Sequence, residues 1–138
     1  MFQASGVLHY STTDGYRLVA DMDPSIGSYY RSLLPKEWNV IAGRHLAHVT
    51  IVRCYQEVPP NLGVWGKYEG EKIIFHYEPG VRYDEAYFWL RVLCVRIEEI
   101  RTELGLSSDR KAGYNVPPDG FKKYFHATIG SKKFINGH

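Results

Sequence analysis

The chain is cut into short runs of β-branched and aromatic residues, each closed by Gly, Pro, Asp or Asn. That punctuation limits it to a fold of many short strands. Residues 5–10 and 16–20 read as strands flanking a turn at Thr13-Asp14-Gly15. Residues 47–54 form a third β-like run. Residues 64–69 and 72–77 read as a hairpin around Glu69-Gly70-Glu71, and KIIFHY is too continuously apolar to keep one face fully wet. Residues 85–94 and 124–129 complete the strands. Two helices interrupt them. Asp23-Pro24-Ser25 is a helix start, with Pro near the first helical position, running to Leu34 and closed by Pro35. From Arg96 to Leu104, Ile97, Ile100, Arg101 and Leu104 share one face, with Glu98, Glu99 and Glu103 outward and Gly105 as the stop. Residues 107–120 read as a polar loop. Strands and helices without regular alternation predict an α+β fold in one domain, residues 1–138.

At 44% apolar residues a chain of this length supports a real core. A net charge of +2 suits a small anionic ligand. It does not suggest a protein that coats long nucleic acid, which usually shows a dense basic stripe. No run is long and apolar enough to span a membrane, and no signal peptide is visible, so the expected location is the cytoplasm. Cys54 and Cys94 leave room for one disulfide at most.

Two tetrapeptides carry chemistry: His48-Val49-Thr50-Ile51 and His126-Ala127-Thr128-Ile129. Both fall in segments read as strands. Residues i and i+2 of a strand point the same way, so each motif presents an imidazole and a hydroxyl together. Phosphodiester cleavage uses such a device twice. One His removes a proton from the attacking hydroxyl, and the other protonates the departing oxygen, both near neutral pH. The threonine hydroxyls donate to the phosphate oxygens. A single H-x-[ST] means little, as His9-Tyr10-Ser11 in the same chain shows. A zinc site at His45-x-x-His48 is disfavoured, because on a strand the two imidazoles point oppositely.

The paired motifs resemble those of the 2H phosphoesterase superfamily. The runs LHYSTTDGYRLVADM, VWGKYEGEKIIF and FHATIG look like the small phage 2H enzymes that cut cyclic di- and trinucleotide signals and so defeat CBASS immunity. The resemblance implies two similar lobes, with antiparallel sheets facing across a central cleft and flanking helices. It also implies catalysis by His48, Thr50, His126 and Thr128 without a cofactor or metal, and, for a phage protein, action in the host cytoplasm. Members of that group close a C-terminal segment over the ligand. Only ten residues follow Thr128 here, so that lid is expected to be short or missing.

The 11 Tyr, 3 Trp and 6 Phe fit a site that stacks nucleobases as well as a core. Tyr10, Tyr16, Trp65 and Tyr124 are the stacking candidates, and Arg53 and Lys132 the cations that would draw in a phosphate. The expected partner is a cyclic di- or trinucleotide, with no long nucleic acid and no membrane. The alternatives are a 2H enzyme for RNA ends, 2′–5′ linkages or 2′,3′-cyclic phosphates, and a protein that sequesters nucleotides without cutting them.

Overall fold

The turn at Thr13-Asp14-Gly15 behaves as its residues dictate. Gly15 takes φ +81°, a conformation that costs glycine little, and folds strand β1 (Phe2–Ser11) back on β2 (Arg17–Met22) in antiparallel register from Ser11↔Arg17 to Gly6↔Met22. The computed structural model describes residues 1–42, 47–106 and 125–132. After β2 comes helix α1 (Pro24–Ser32), whose start is fixed by the Asp23 carboxylate accepting from the Ser25 N–H at 2.9 Å. There follow β3 (Val40–Ile41), β4 (His48–Val52), β5 (Lys72–Tyr77), β6 (Arg82–Tyr83) and β7 (Tyr87–Leu93). Helix α2 (Val95–Glu103) and β8 (Phe125–Lys132) end the described chain.

The sheet runs β3-β8-β4-β2-β1-β5-β7-β6, and β8 also pairs with β7. Six strands, β8, β4, β2, β1, β5 and β7, therefore close into an antiparallel barrel, with β3 and β6 as two-residue additions. This corrects the expected two-lobed α+β fold with sheets facing across a cleft. The physical reason is β8, which hydrogen-bonds on both sides, to β4 and to β7, and leaves no gap between two sheets. Residues 64–69 do not form the expected hairpin. Gly66 and Gly70 lie at φ +84° and +80° and wind that stretch into turns, and β5 pairs with β1 instead. Nor is KIIFHY buried on both faces: Ile73, Phe75 and Tyr77 point inward, whereas Ile74 is exposed.

Inward side chains fill the barrel: Leu8, Leu18 and Ala20 from β1 and β2, Val49, Ile51 and Val52 from β4, Phe88, Leu90 and Val92 from β7, and Phe125, Ala127 and Ile129 from β8. The helices close the ends. Tyr30 of α1 enters the core at one end and donates to the Tyr77 hydroxyl at 3.3 Å. At the other end α2 contacts β4 and β5, which lie on opposite sides of the ring, and lays Ile97, Ile100 and Leu104 into the core.

Two bulges adjust the ladders. Ile51 is the extra residue of β4 opposite β2, and Ile129 that of β8 opposite β7. Gly130 follows the second bulge. A Cβ there would meet Val40 Cγ1 at 2.8 Å and the Ile41 carbonyl at 2.9 Å, so only glycine lets β3 lie so close to β8. Cys54 and Cys94 are both free thiols. No helix among the described residues is long and apolar enough to cross a membrane.

Arg101 is a charge buried by this design. Its guanidinium donates to the Ile51 carbonyl at 2.7 Å and to both Glu57 oxygens at 3.0 and 2.7 Å. Its side chain is 1% exposed and that of Glu57 12%. Removing one partner of such a pair strands the other in a poorly solvated site. Glu57→Ala is therefore expected to lower unfolding free energy in urea by about 3 kcal/mol. A loss under about 1 kcal/mol, the scale of an exposed pair, would refute this view of the contact.

Candidate functional site

The two His-x-Thr motifs lie on adjacent strands. In the ladder between β4 and β8, His48 stands opposite Thr128 and Val49 opposite Ala127. Directly opposed residues share a face. Val49, Ile51, Ala127 and Ile129 belong to the core, so His48, Thr50, His126 and Thr128 all project from the outer face, each half-buried. The two imidazoles stand on a diagonal of this four-residue array, where Cβ atoms are about 7 Å apart. That span is wide enough to take a phosphorus atom with an oxygen on either side, and a threonine hydroxyl stands beside each imidazole.

Neighbouring strands extend the array into two rows. The first runs Val7, Asp21, His48, Thr128 and Trp89 across β1, β2, β4, β8 and β7. In the second, His9 pairs with Val19, Val19 with Thr50, and His126 with Arg91. Val19, Trp89 and Arg91 are at least nine-tenths buried although they stand outside the barrel core. The motif residues thus have buried neighbours on both sides, Val19 beside Thr50, and Trp89 and Arg91 beside Thr128 and His126. The Trp89 indole Nε1 is buried and has no hydrogen-bond partner among the described residues. Native structures rarely leave such a donor without a use. Tyr87, two residues before Trp89 and paired with Ser131, rises from the same face and is exposed.

The other sequence candidates lie elsewhere. Tyr10 and Tyr16 meet Trp65 edge to face, with centroids 4.9 and 5.2 Å apart, and all three pack against the core rather than beside the histidines. The Tyr10 hydroxyl accepts from the Tyr68 N–H at 3.4 Å, and burial pushes its phenol above the ordinary range against the pull of that N–H. Arg53 is exposed just past β4, and its backbone N–H donates to Glu57 at 3.3 Å. Lys132 closes β8 opposite Val40, with its N–H on the Ala86 carbonyl at 2.9 Å. The bulge at Ile129 reverses the alternation, putting Ser131 on the Thr128 face and turning Lys132 away. Tyr124 and His45 lie outside the described residues. The third pattern, His9-Tyr10-Ser11, is not a further copy of the device, since His9 bonds Glu69 at 3.2 Å. Sequence reading missed Asp21, Trp89 and Arg91, which only strand register brings to the motifs.

Compared with known proteins, the chain matches no family model, no curated protein and no solved structure.

The aromatic triad is expected to be a stability element. Trp65→Ala should reduce unfolding free energy by about 3 kcal/mol and leave the His48 and His126 imidazole NMR signals where they are in the native protein. Displaced histidine signals without a stability loss would instead join the triad to the motif face.

Proposed function

We propose that the protein is a metal-independent phosphodiesterase that uses the His48/Thr50 and His126/Thr128 pairs as in 2H enzymes, with cyclic di- or trinucleotides as substrates. The observation that carries this reading is the register His48↔Thr128, which gathers both motifs on one outer face. Imidazoles on a diagonal divide the proton transfers that phosphodiester cleavage needs. Threonine hydroxyls supply donors for the charge that develops on the phosphate oxygens. The ribose 2′-hydroxyl attacks phosphorus and the bond to the 5′-oxygen breaks. The attacking oxygen's proton passes to one imidazole, and the other imidazole protonates the 5′-oxygen. The products are a 2′,3′-cyclic phosphate and a free 5′-hydroxyl.

The cyclic substrate rests on the sequence resemblance to phage counter-defence enzymes, in which such signals are cut in the host cytoplasm. With Tyr10, Tyr16 and Trp65 packed on the core, Tyr87 is, among the described residues, an exposed ring on the motif face that can stack on a base.

Chromatography of 3′,3′-cyclic GMP–AMP after incubation with the protein in excess EDTA tests the reading. The wild type is expected to convert it. His48→Ala and His126→Ala are each expected to lose at least about a hundredfold in rate. Full activity in either variant would sink two-histidine catalysis. An intact cyclic ligand beside cleaved RNA ends or 2′,3′-cyclic phosphates would move the substrate and keep the chemistry. Tight binding without product would replace the enzyme by a sequestering protein.

A further inference from the structure

Past Thr128 the motif face changes character. The bulge at Ile129 brings Ser131 to the outer side, where it pairs with Ile41 of β3 on one side and Tyr87 of β7 on the other. Ile41 is 44% and Tyr87 55% exposed, whereas Val40 and Phe88, next to them in the chain, pack on the core. Ser131 between them is half-buried. We propose that Ile41, Ser131 and Tyr87 form a subsite for one nucleobase of the substrate, beside the two His-x-Thr motifs. The subsite rests on the phosphodiesterase reading above, under which the motifs hold the phosphate of that nucleotide.

The shape of the row suits a planar ring. Neighbouring strands lie about 4.8 Å apart, so Ile41 and Tyr87 rise from strands about 10 Å apart, with Ser131 as the floor between them. A ring in van der Waals contact on both faces needs about 7 to 8 Å between its neighbours, and a modest lean of both side chains closes on a single base. Tyr87 offers a stacking face that any base can use. The Ser131 hydroxyl both donates and accepts, which suits the polar edge of a purine or a pyrimidine. A row of three residues is too small for a protein partner, which takes about 800 Å² from each side.

Its place along the strands fits as well. On β7, Tyr87 is two residues before Trp89, which belongs to the row of His48 and Thr128. The two rows are therefore about 7 Å apart. In a nucleotide the ribose separates base from phosphate and spans a gap of this kind.

The backbone under Tyr87 is fixed before a ligand arrives. The Asp84 carboxylate accepts from the N–H groups of Ala86 and Tyr87, both at 2.8 Å, and the Asp84 N–H donates to the Tyr87 carbonyl at 3.1 Å. The Ala86 carbonyl accepts from the Lys132 N–H at 2.9 Å and ties this turn to β8. A tyrosine on such a backbone has only its two side-chain torsions to lose on stacking. All of these bonds are made by backbone groups or by Asp84, so replacing the ring leaves the turn in place.

Binding of phosphates with and without a base tests the subsite without turnover. The probes are adenosine 3′- and 5′-monophosphate, each beside the methyl riboside that carries its phosphate on the same carbon, with binding followed by NMR. At least one adenosine probe is expected to bind at least about fivefold tighter than its base-free counterpart, the low end for stacking one base. It should also shift the Tyr87 ring and Ile41 methyl signals. Tyr87→Ala should bring the two affinities within about twofold of each other, and Tyr87→Phe should keep them apart. Ile41→Ala should weaken the adenosine probe more than the base-free one. Equal affinities in the wild type, no binding of any probe, or a preference that survives Tyr87→Ala would overturn the subsite. If Tyr87→Ala does not fold, the wild-type ratio and Ile41→Ala still decide. Cleavage of 3′,3′-cyclic GMP–AMP by a wild type with no preference for the base would overturn the subsite and keep the enzyme. A Tyr87-dependent preference without cleavage of any nucleotide would keep the subsite and overturn the enzyme.

Discussion

Strand β8 holds both the fold and the site together. It pairs with β4 through His48↔Thr128 and with β7 from Val92↔Phe125 to Tyr87↔Ser131, and these two ladders turn an open meander into a ring. Without them β4 and β7 would be edges with unpaired backbone groups, a state natural sheets avoid. Phe125, Ala127 and Ile129 put the inner side of β8 into the core. The energy that buries this strand is also the energy that brings His126 and Thr128 beside His48 and Thr50. Closure and assembly of the site are one event.

Much of the local structure was legible in the sequence, because local rules decide it. Gly15 marks the first turn, Asp23 with Pro24 marks the start of α1, and the spacing of Ile97, Ile100, Arg101 and Leu104 gives the buried face of α2. The period of two put His48 with Thr50, and His126 with Thr128, on one side of each strand before any partner was known. Closure was not legible. It depends on β1 pairing with β5, far along the chain, and on β8 pairing on both sides, and no local pattern states either choice. The stretch 64–69 shows how composition misleads: its β-favouring residues are outvoted by Gly66 within it and Gly70 just after it, both at positive φ. Aromatic wealth misled differently. It gave the number of rings and not their side, and the rings of Tyr10, Tyr16 and Trp65 turned toward the core.

Register accounts for what the sequence hid at the site. Asp21, His48, Thr128 and Trp89 stand in one row from four strands, although more than a hundred residues separate the first from Thr128. A one-residue slip of any strand would send its member of the row inward. The two bulges take up the extra residues at Ile51 and Ile129, one position past Thr50 and Thr128. They also explain why Lys132, attractive by sequence distance, faces away while Ser131 does not.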